Sequence, residues 1–232
     1  NNERYQDNFA VMNCLGLSLK EVQEFHGHRM NIELVYNLAI KMLQCIKALH
    51  TVGYIHCDIK PKNFLIQQNP KYPIVLIDFN MCQKFDVETG QNETVKRIKD
   101  FQGTTKYASI NALLLQQPDR NDDLISWFYS FLDLVNGSLP WEDEDDLAKN
   151  VDMRRAFKIE DLTYKFPKEI QHLYDYLKTL RYDAKPDYKR ILEFFEGAMK
   201  SEGFNVINPY DFTEFVNKHT NIIDYQEKRD KM

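Results

Sequence analysis

From Asn31 to His50, the apolar residues Ile32, Val35, Leu38, Ala39, Met42, Ile46 and Leu49 return every three or four positions. Asn31 stands as an N-cap and Gly53 lies just past the end, so the spacing predicts one long amphipathic helix. Such a helix must lay its stripe on a core, and that fixes where the chain emerges. It emerges at Tyr54-Ile-His-Cys-Asp-Ile-Lys-Pro-Lys-Asn-Phe-Leu-Ile66, a polar centre between two apolar clamps. Downstream, Ile125, Trp127, Phe128, Phe131, Leu132, Leu134 and Val135 leave almost no polar side. They predict a buried central helix, ended by Asn136-Gly137.

The remaining segments are shorter. Asn8-Phe-Ala-Val-Met12 reads as a strand, and Leu19, Val22 and Phe25 as a short helix. Phe64-Leu-Ile66 and Ile74-Val-Leu-Ile77 flank a turn containing Pro70 and Pro73, which suggests a small hairpin ending on Asp78. Residues 81 to 106 lack periodicity, and a loop of that length inside a compact domain is usually functional. Further helices are expected around 168–180, 187–200 and 211–218. The acidic run from Glu142 to Asp146 is read as a solvated loop or helix start, and the charged tail from Gln226 as frayed.

At 232 residues and 43% hydrophobic, the chain can bury the core of one large domain or of a large part of a bigger one. A net charge of −5 argues against broad nucleic-acid binding. No apolar run approaches the length of a membrane span, so no membrane association is expected. Cys14, Cys45, Cys57 and Cys82 form no C-x-x-C pair. Reduced thiols and a cytoplasmic or nuclear location are therefore expected. His26-Gly-His28 has no nearby cysteine or acidic partner and reads as a polar turn rather than a metal site.

His56, Asp58, Lys60 and Asn63 carry the chemistry. An aspartate with a lysine two residues on and an asparagine five residues on suits phosphoryl transfer. Asp58 would accept a hydrogen bond from the attacking hydroxyl, Lys60 would place positive charge near the transferring phosphate, and Asn63 would hold magnesium. Asp78, where the second strand stops, is the candidate second metal ligand, because the metal must bridge phosphate oxygens. The plainer alternatives are a turn carboxylate for Asp78 and a solvated lysine for Lys60. His56 is expected to pack beneath the loop rather than move protons.

That loop, Leu76-Ile-Asp-Phe79, Gly103-Thr-Thr-Lys-Tyr-Ala-Ser-Ile-Asn111, Asp122-Asp-Leu124 and Gly137-Ser-Leu-Pro-Trp141 occur in order. Together they closely resemble the casein kinase 1 superfamily of protein kinases, which carries Ser-Ile-Asn where most kinases have Ala-Pro-Glu. Tyr176-Leu-Lys-Thr-Leu-Arg-Tyr182, Lys185-Pro-Asp-Tyr188 and Asn208-Pro-Tyr-Asp211 look most like its tau-tubulin kinase branch. The resemblance spans roughly residues 8 to 212. It implies a protein kinase-like α+β fold, seen here as a mainly helical C-lobe with a small β-hairpin and no N-lobe. Residues 1–15 would be the last N-lobe strand and hinge, 16–218 the C-lobe and 219–232 a charged tail.

The resemblance also implies roles. ATP and Mg²⁺ would be the cofactors, and protein serine or threonine hydroxyls the acceptors. Met12 would be the gatekeeper, with the backbone of Cys14 and Leu15 facing adenine, Leu65 flooring that pocket and Ile77 lying behind Asp78. Thr104 would hydrogen-bond Asp58 and Lys60. Asp123 would hold the loop from below; its alternative is an N-cap. Lys96, Arg97, Lys99 and Lys106 could attract acidic or prephosphorylated peptides, or simply be a solvated basic loop.

Three departures stand out. Cys57 replaces the usual arginine, so activity should not need activation-loop phosphorylation of the kind that arginine anchors. Asn80 replaces the glycine of Asp-Phe-Gly and reaches positive φ less freely, which should restrict loop flipping. The glycine-rich loop and the strand lysine that pairs with the phosphates are not found before Asn8, so this 232-residue chain is itself expected to be nearly inactive. A non-catalytic binding scaffold is the alternative from another class.

Overall fold

The computed structural model describes residues 15–67, 72–91, 100–207 and 214. The expected strand at Asn8–Met12, the 211–218 helix apart from residue 214, and the charged tail lie outside the described residues.

The first helix, α1 (Leu19–Phe25), starts where Ser18 and Glu21 form a reciprocal capping box. Helix α2 (Ile32–Thr51) begins at Asn31, whose side chain accepts from the Leu34 amide. Its predicted stripe, from Val35 through Ile46, is buried. Helix α4 (Arg120–Asn136) starts about one turn before the apolar pattern, because Asp119 and Asp122 cap each other's backbone amides. It ends at Gly137 with φ 87°, where a Cβ would come within 2.9 Å of the His28 carbonyl. Only glycine takes that turn freely.

Helices α2 and α4 form the centre. Trp127 donates its indole N–H to the Ala39 carbonyl at 2.9 Å, which satisfies a fully buried donor across the two helices. Tyr36 and Phe131 lie 5.3 Å apart, and Phe131 and Phe195 4.9 Å. Phe195 belongs to α8 (Tyr188–Ser201), which packs with α7 (Lys168–Thr179) through Ile170, Leu173, Leu177 and Ile191. Three short helices complete the described part: α3 (Ile110–Leu113), α5 (Leu147–Ala156) and α6 (Glu160–Thr163).

The predicted hairpin is present as β2 (Phe64–Ile66) against β3 (Ile74–Leu76), antiparallel, with Phe64 opposite Leu76. Residues 16–18 run along its other edge, with the Ile66 amide donating to the Leu17 carbonyl at 2.9 Å. A second ribbon pairs β1 (Tyr54–Ile55) with β4 (Gln83–Lys84). It brings the start of the 81–106 segment back against the loop that follows α2. His26-Gly-His28 forms the turn after α1, and among the described residues no three His, Cys, Asp or Glu side chains gather as a metal cage. No helix of the described residues is long and apolar enough to cross a membrane.

Candidate active site

The loop after β1 is fastened from below by Asp123, which is 1% exposed in the first turn of α4. Its carboxylate accepts from the amides of His56 at 2.7 Å and Cys57 at 2.9 Å. It also meets His50 Nε2 at 2.9 Å, at the end of α2. Asp119 takes the N-cap position, so Asp123 serves the loop instead. Cys57 sits at φ 66°, a left-handed conformation that costs a non-glycine residue about 1–3 kcal/mol. The two amide bonds to Asp123 hold it there.

His56 is fully buried, and its Nδ1 accepts from the Asp58 amide at 3.3 Å. Nε2 therefore carries the proton and donates to the Ile77 carbonyl at 3.0 Å. The imidazole thus ties the loop to the chain leaving β3. This is the structural part expected of it.

In front of the loop, three predicted residues meet. Lys60 Nζ lies 2.5 Å from Asp58 Oδ2 and 2.8 Å from Thr104 Oγ1. Thr104 in turn donates to Asp58 Oδ1 at 3.0 Å. Each group orients the other two. Asn63 Nδ2 adds bonds to the Asp58 carbonyl at 2.9 Å and to Oδ2 at 3.3 Å. An open cleft of about 560 Å³, lined by Lys60, Lys62, Thr104 and Tyr107, runs past this cluster. A second cavity of about 410 Å³ lies against Cys57, Asp58, Phe101 and Asp122.

The hairpin register brings the two candidate metal ligands to one end. Asn63 precedes β2, Ile77 follows β3, and the Ile77 amide donates to the Asn63 carbonyl at 2.9 Å. The buried Asn63 spends its amide nitrogen on Asp58, so its oxygen is the atom with which it could serve a cation. Asp78 is exposed, takes φ 67°, and accepts from Asn80 Nδ2 at 2.9 Å. One amide oxygen and one carboxylate suit magnesium, which takes most of its remaining ligands from phosphates and water. Leu65 and Ile77 are half-buried, and strand alternation sets both on the face opposite Phe64 and Leu76. Leu15 is also half-buried, just before the 16–18 segment that borders β2. Met12 and Cys14 lie outside the described residues.

The model of the protein kinase domain matches residues 3–223. The chain belongs to the protein kinase family. It is also similar to a probable serine/threonine-protein kinase of Dictyostelium discoideum, at 31% identity over 214 residues. That match covers 90% of this chain but spans only 43% of the relative's length. The described helices and small sheets fit the C-lobe of this kinase fold.

Two expectations about the kinase need correction. Positive φ falls on Asp78, whereas Asn80 lies in the 3₁₀ turn Phe79–Met81 and is not among the left-handed residues. No glycine is needed at that position in this conformation, and the Asn80 amide instead steadies the Asp78 carboxylate. Lys106 is not a free cation, since its ammonium lies 2.8 Å from Asp133 Oδ1 and 2.5 Å from Glu142 Oε2. Burial works against that ammonium, but the two carboxylates outweigh it and hold the pKa above the usual lysine value. Lys96, Arg97 and Lys99 lie outside the described residues.

Cys57 now has a chemical character. Burial pushes its thiol well above the ordinary range, and the charges of Asp123 and Asp122 push it further. Little thiolate forms near neutrality, so iodoacetamide at pH 7.5 should modify Cys57 more than about tenfold slower than the denatured chain. Peptide mass spectrometry over time reads this out. Labelling of Cys57 at the denatured rate would remove the argument.

Sequence reasoning passed over His50, Asp133 and Arg154. His50 looked like the last residue of an ordinary helix. Asp133 was one polar residue in an apolar run, yet it is fully buried and accepts from Tyr107 OH at 2.9 Å and Gln23 Nε2 at 3.3 Å. That solitary acid was a usable signal. Arg154 sits in a charge-rich stretch with nothing local to distinguish it.

Proposed function

We infer that this chain is the catalytic C-lobe of a serine/threonine protein kinase that transfers the γ-phosphate of ATP to protein hydroxyls. The observation that carries the reading is the closed cluster of Asp58, Lys60 and Thr104 on a loop that Asp123 fixes from beneath. Asp58 lines the cavity of about 410 Å³ as an acceptor surrounded by donors, which suits it to orient an attacking hydroxyl. Lys60 supplies positive charge beside it, and Thr104 holds both in place. Magnesium bound by Asn63 and Asp78 would neutralise charge on the phosphates. Leu15, Leu65 and Ile77, with Met12 and Cys14, are the proposed adenine contacts.

The casein kinase 1-like assignment, and its tau-tubulin kinase branch, rest on the Ser-Ile-Asn triplet and the C-terminal motifs. The triplet also has a physical role that does not depend on that assignment. Ser109 caps α3 through the Ala112 amide and donates its hydroxyl to Asp122 at 2.5 Å, fastening the segment to α4. With cysteine at position 57, no basic side chain there awaits a phosphorylated loop. An acidic or prephosphorylated substrate preference would have to rest on the exposed Lys62 more than on Lys106.

The test is transfer of labelled γ-phosphate from ATP by the natural full-length protein after phosphatase treatment, followed by phosphoamino-acid analysis. Label on serine or threonine is expected. No transfer, or label on tyrosine alone, would overturn the assignment.

A further inference from the structure

Arg154 in α5 is only 6% exposed, and among the described residues none of its hydrogen-bond partners is a carboxylate. Burying a guanidinium without a counter-ion is costly, so its donors must be spent on something that needs ordering. They are spent on one turn. Nη2 donates to the carbonyls of Thr105 at 2.5 Å and Lys106 at 3.2 Å, and Nη1 donates to that of Ala108. Nε donates to Asn150 Oδ1 at 2.7 Å, which sets the fork. The guanidinium also lies 4.5 Å from the ring centre of Trp141 and 5.2 Å from that of Tyr129, where cation–π attraction offsets part of the lost hydration.

The clamped turn, Thr105–Tyr107, begins at Thr104, the residue that bridges Asp58 and Lys60. Trp141 reinforces it by donating its indole N–H to the Lys106 carbonyl at 2.9 Å. Tyr107 and Ala108 return their amides to the Thr104 carbonyl at 3.1 and 3.2 Å, so holding 105–108 holds Thr104. We propose that Arg154 is a positioning residue for phosphoryl transfer, setting the Thr104 hydroxyl against Asp58 by gripping the carbonyls of the turn that follows it. It acts through Thr104 and touches no reacting atom. The inference rests on the kinase reading for its effect on rate, but not for its effect on the turn.

Two variants of the natural full-length protein test it. Arg154→Met removes the donors while keeping length, and Arg154→Lys keeps the charge but replaces the planar fork of three nitrogens with a single shorter-reaching ammonium. Amide hydrogen exchange, which needs no turnover, comes first. Residues 105–108 should exchange at least about tenfold faster in both variants, with α2 and α4 unchanged. In steady-state kinetics, kcat should fall roughly 10- to 100-fold, because small misplacements near the reacting groups are expensive. The KM for ATP should stay within about twofold.

Coupling separates positioning from general damage. In a Thr104→Ala background, Arg154→Met should cost no more than about twofold further, since residues acting as one unit are not additive. Unchanged exchange at 105–108, or the same fold-loss with and without Thr104, would overturn the proposal. If Arg154→Met does not fold, Arg154→Lys carries both comparisons. A wild-type protein without transferase activity would end the kinase reading, and the exchange result would then decide the clamp by itself.

Discussion

Replacing Asp58 with asparagine should lower kcat by about 10² to 10⁴-fold, the range contributed by a well-placed acid or base, while leaving the KM for ATP within about twofold. The substitution is isosteric, so the fold should survive it. What changes is the sign of one atom. Lys60, Thr104 and Asn63 all point donors at the Asp58 carboxylate. An amide would turn an N–H toward one of them and keep a single uncharged oxygen, for which the remaining donors compete with the substrate hydroxyl. A variant that retains wild-type kcat in peptide phosphorylation would show that Asp58 does not hold the acceptor.

The second large effect concerns Asp123. Its replacement by alanine should destabilise the protein by about 3–5 kcal/mol, the usual cost of breaking a buried charged hydrogen-bond network by removing one partner. The His56 and Cys57 amides and the His50 ring would all lose their acceptor. For a chain of this size, each kcal/mol moves Tm by about 2–4 °C, so a fall of roughly 10 °C is expected by circular dichroism or calorimetry. Activity should fall as well at temperatures where the variant remains folded, because Asp58 follows directly from the two released amides. A melting temperature within about 2 °C of wild type would mean that the network is not what secures the loop.

Much of this arrangement was legible before any coordinates, and the reason differs by element. Helix α2 and the hairpin show strong local periodicity with capping or turn residues at both ends, so their burial and position follow from neighbours in sequence. The core of α4 was equally clear, but its first turn, Arg120 to Leu124, is polar except for Leu124. Its start depends on the mutual capping of Asp119 and Asp122, which the apolar pattern does not reveal. Helix α5 was legible only as the helix start that the acidic run allowed, because its apolar residues form no clear stripe and its buried side chains include the polar Asn150 and the charged Arg154 beside Val151. The β1–β4 ribbon is two residues long on each side and joins segments far apart in sequence, so no local signal marks it.

The site divides in the same way. Asp58, Lys60, Asn63 and Asp78 stand in recognisable order along the chain, and Thr104 and Asp123 follow from the same family pattern. The supports behind them, Arg154, Asp133 and His50, are polar side chains whose partners are brought by tertiary packing. A buried polar group is informative only once its burial is known. Asn80 teaches the opposite lesson: a departure from the family pattern suggested backbone cost, but the left-handed residue is its neighbour Asp78.

The most direct measurement is a rapid-quench single turnover with labelled ATP and a serine or threonine peptide. The natural full-length protein, Asp58→Asn and Asp78→Asn are run side by side at saturating Mg²⁺. The account predicts label on the peptide hydroxyl in the wild type and transfer at least about 100-fold slower in Asp58→Asn although nucleotide still binds. It predicts a similar loss in Asp78→Asn, and a parallel Mg²⁺ titration should show that this variant needs a higher Mg²⁺ concentration than wild type. Transfer by Asp58→Asn at the wild-type rate would contradict it.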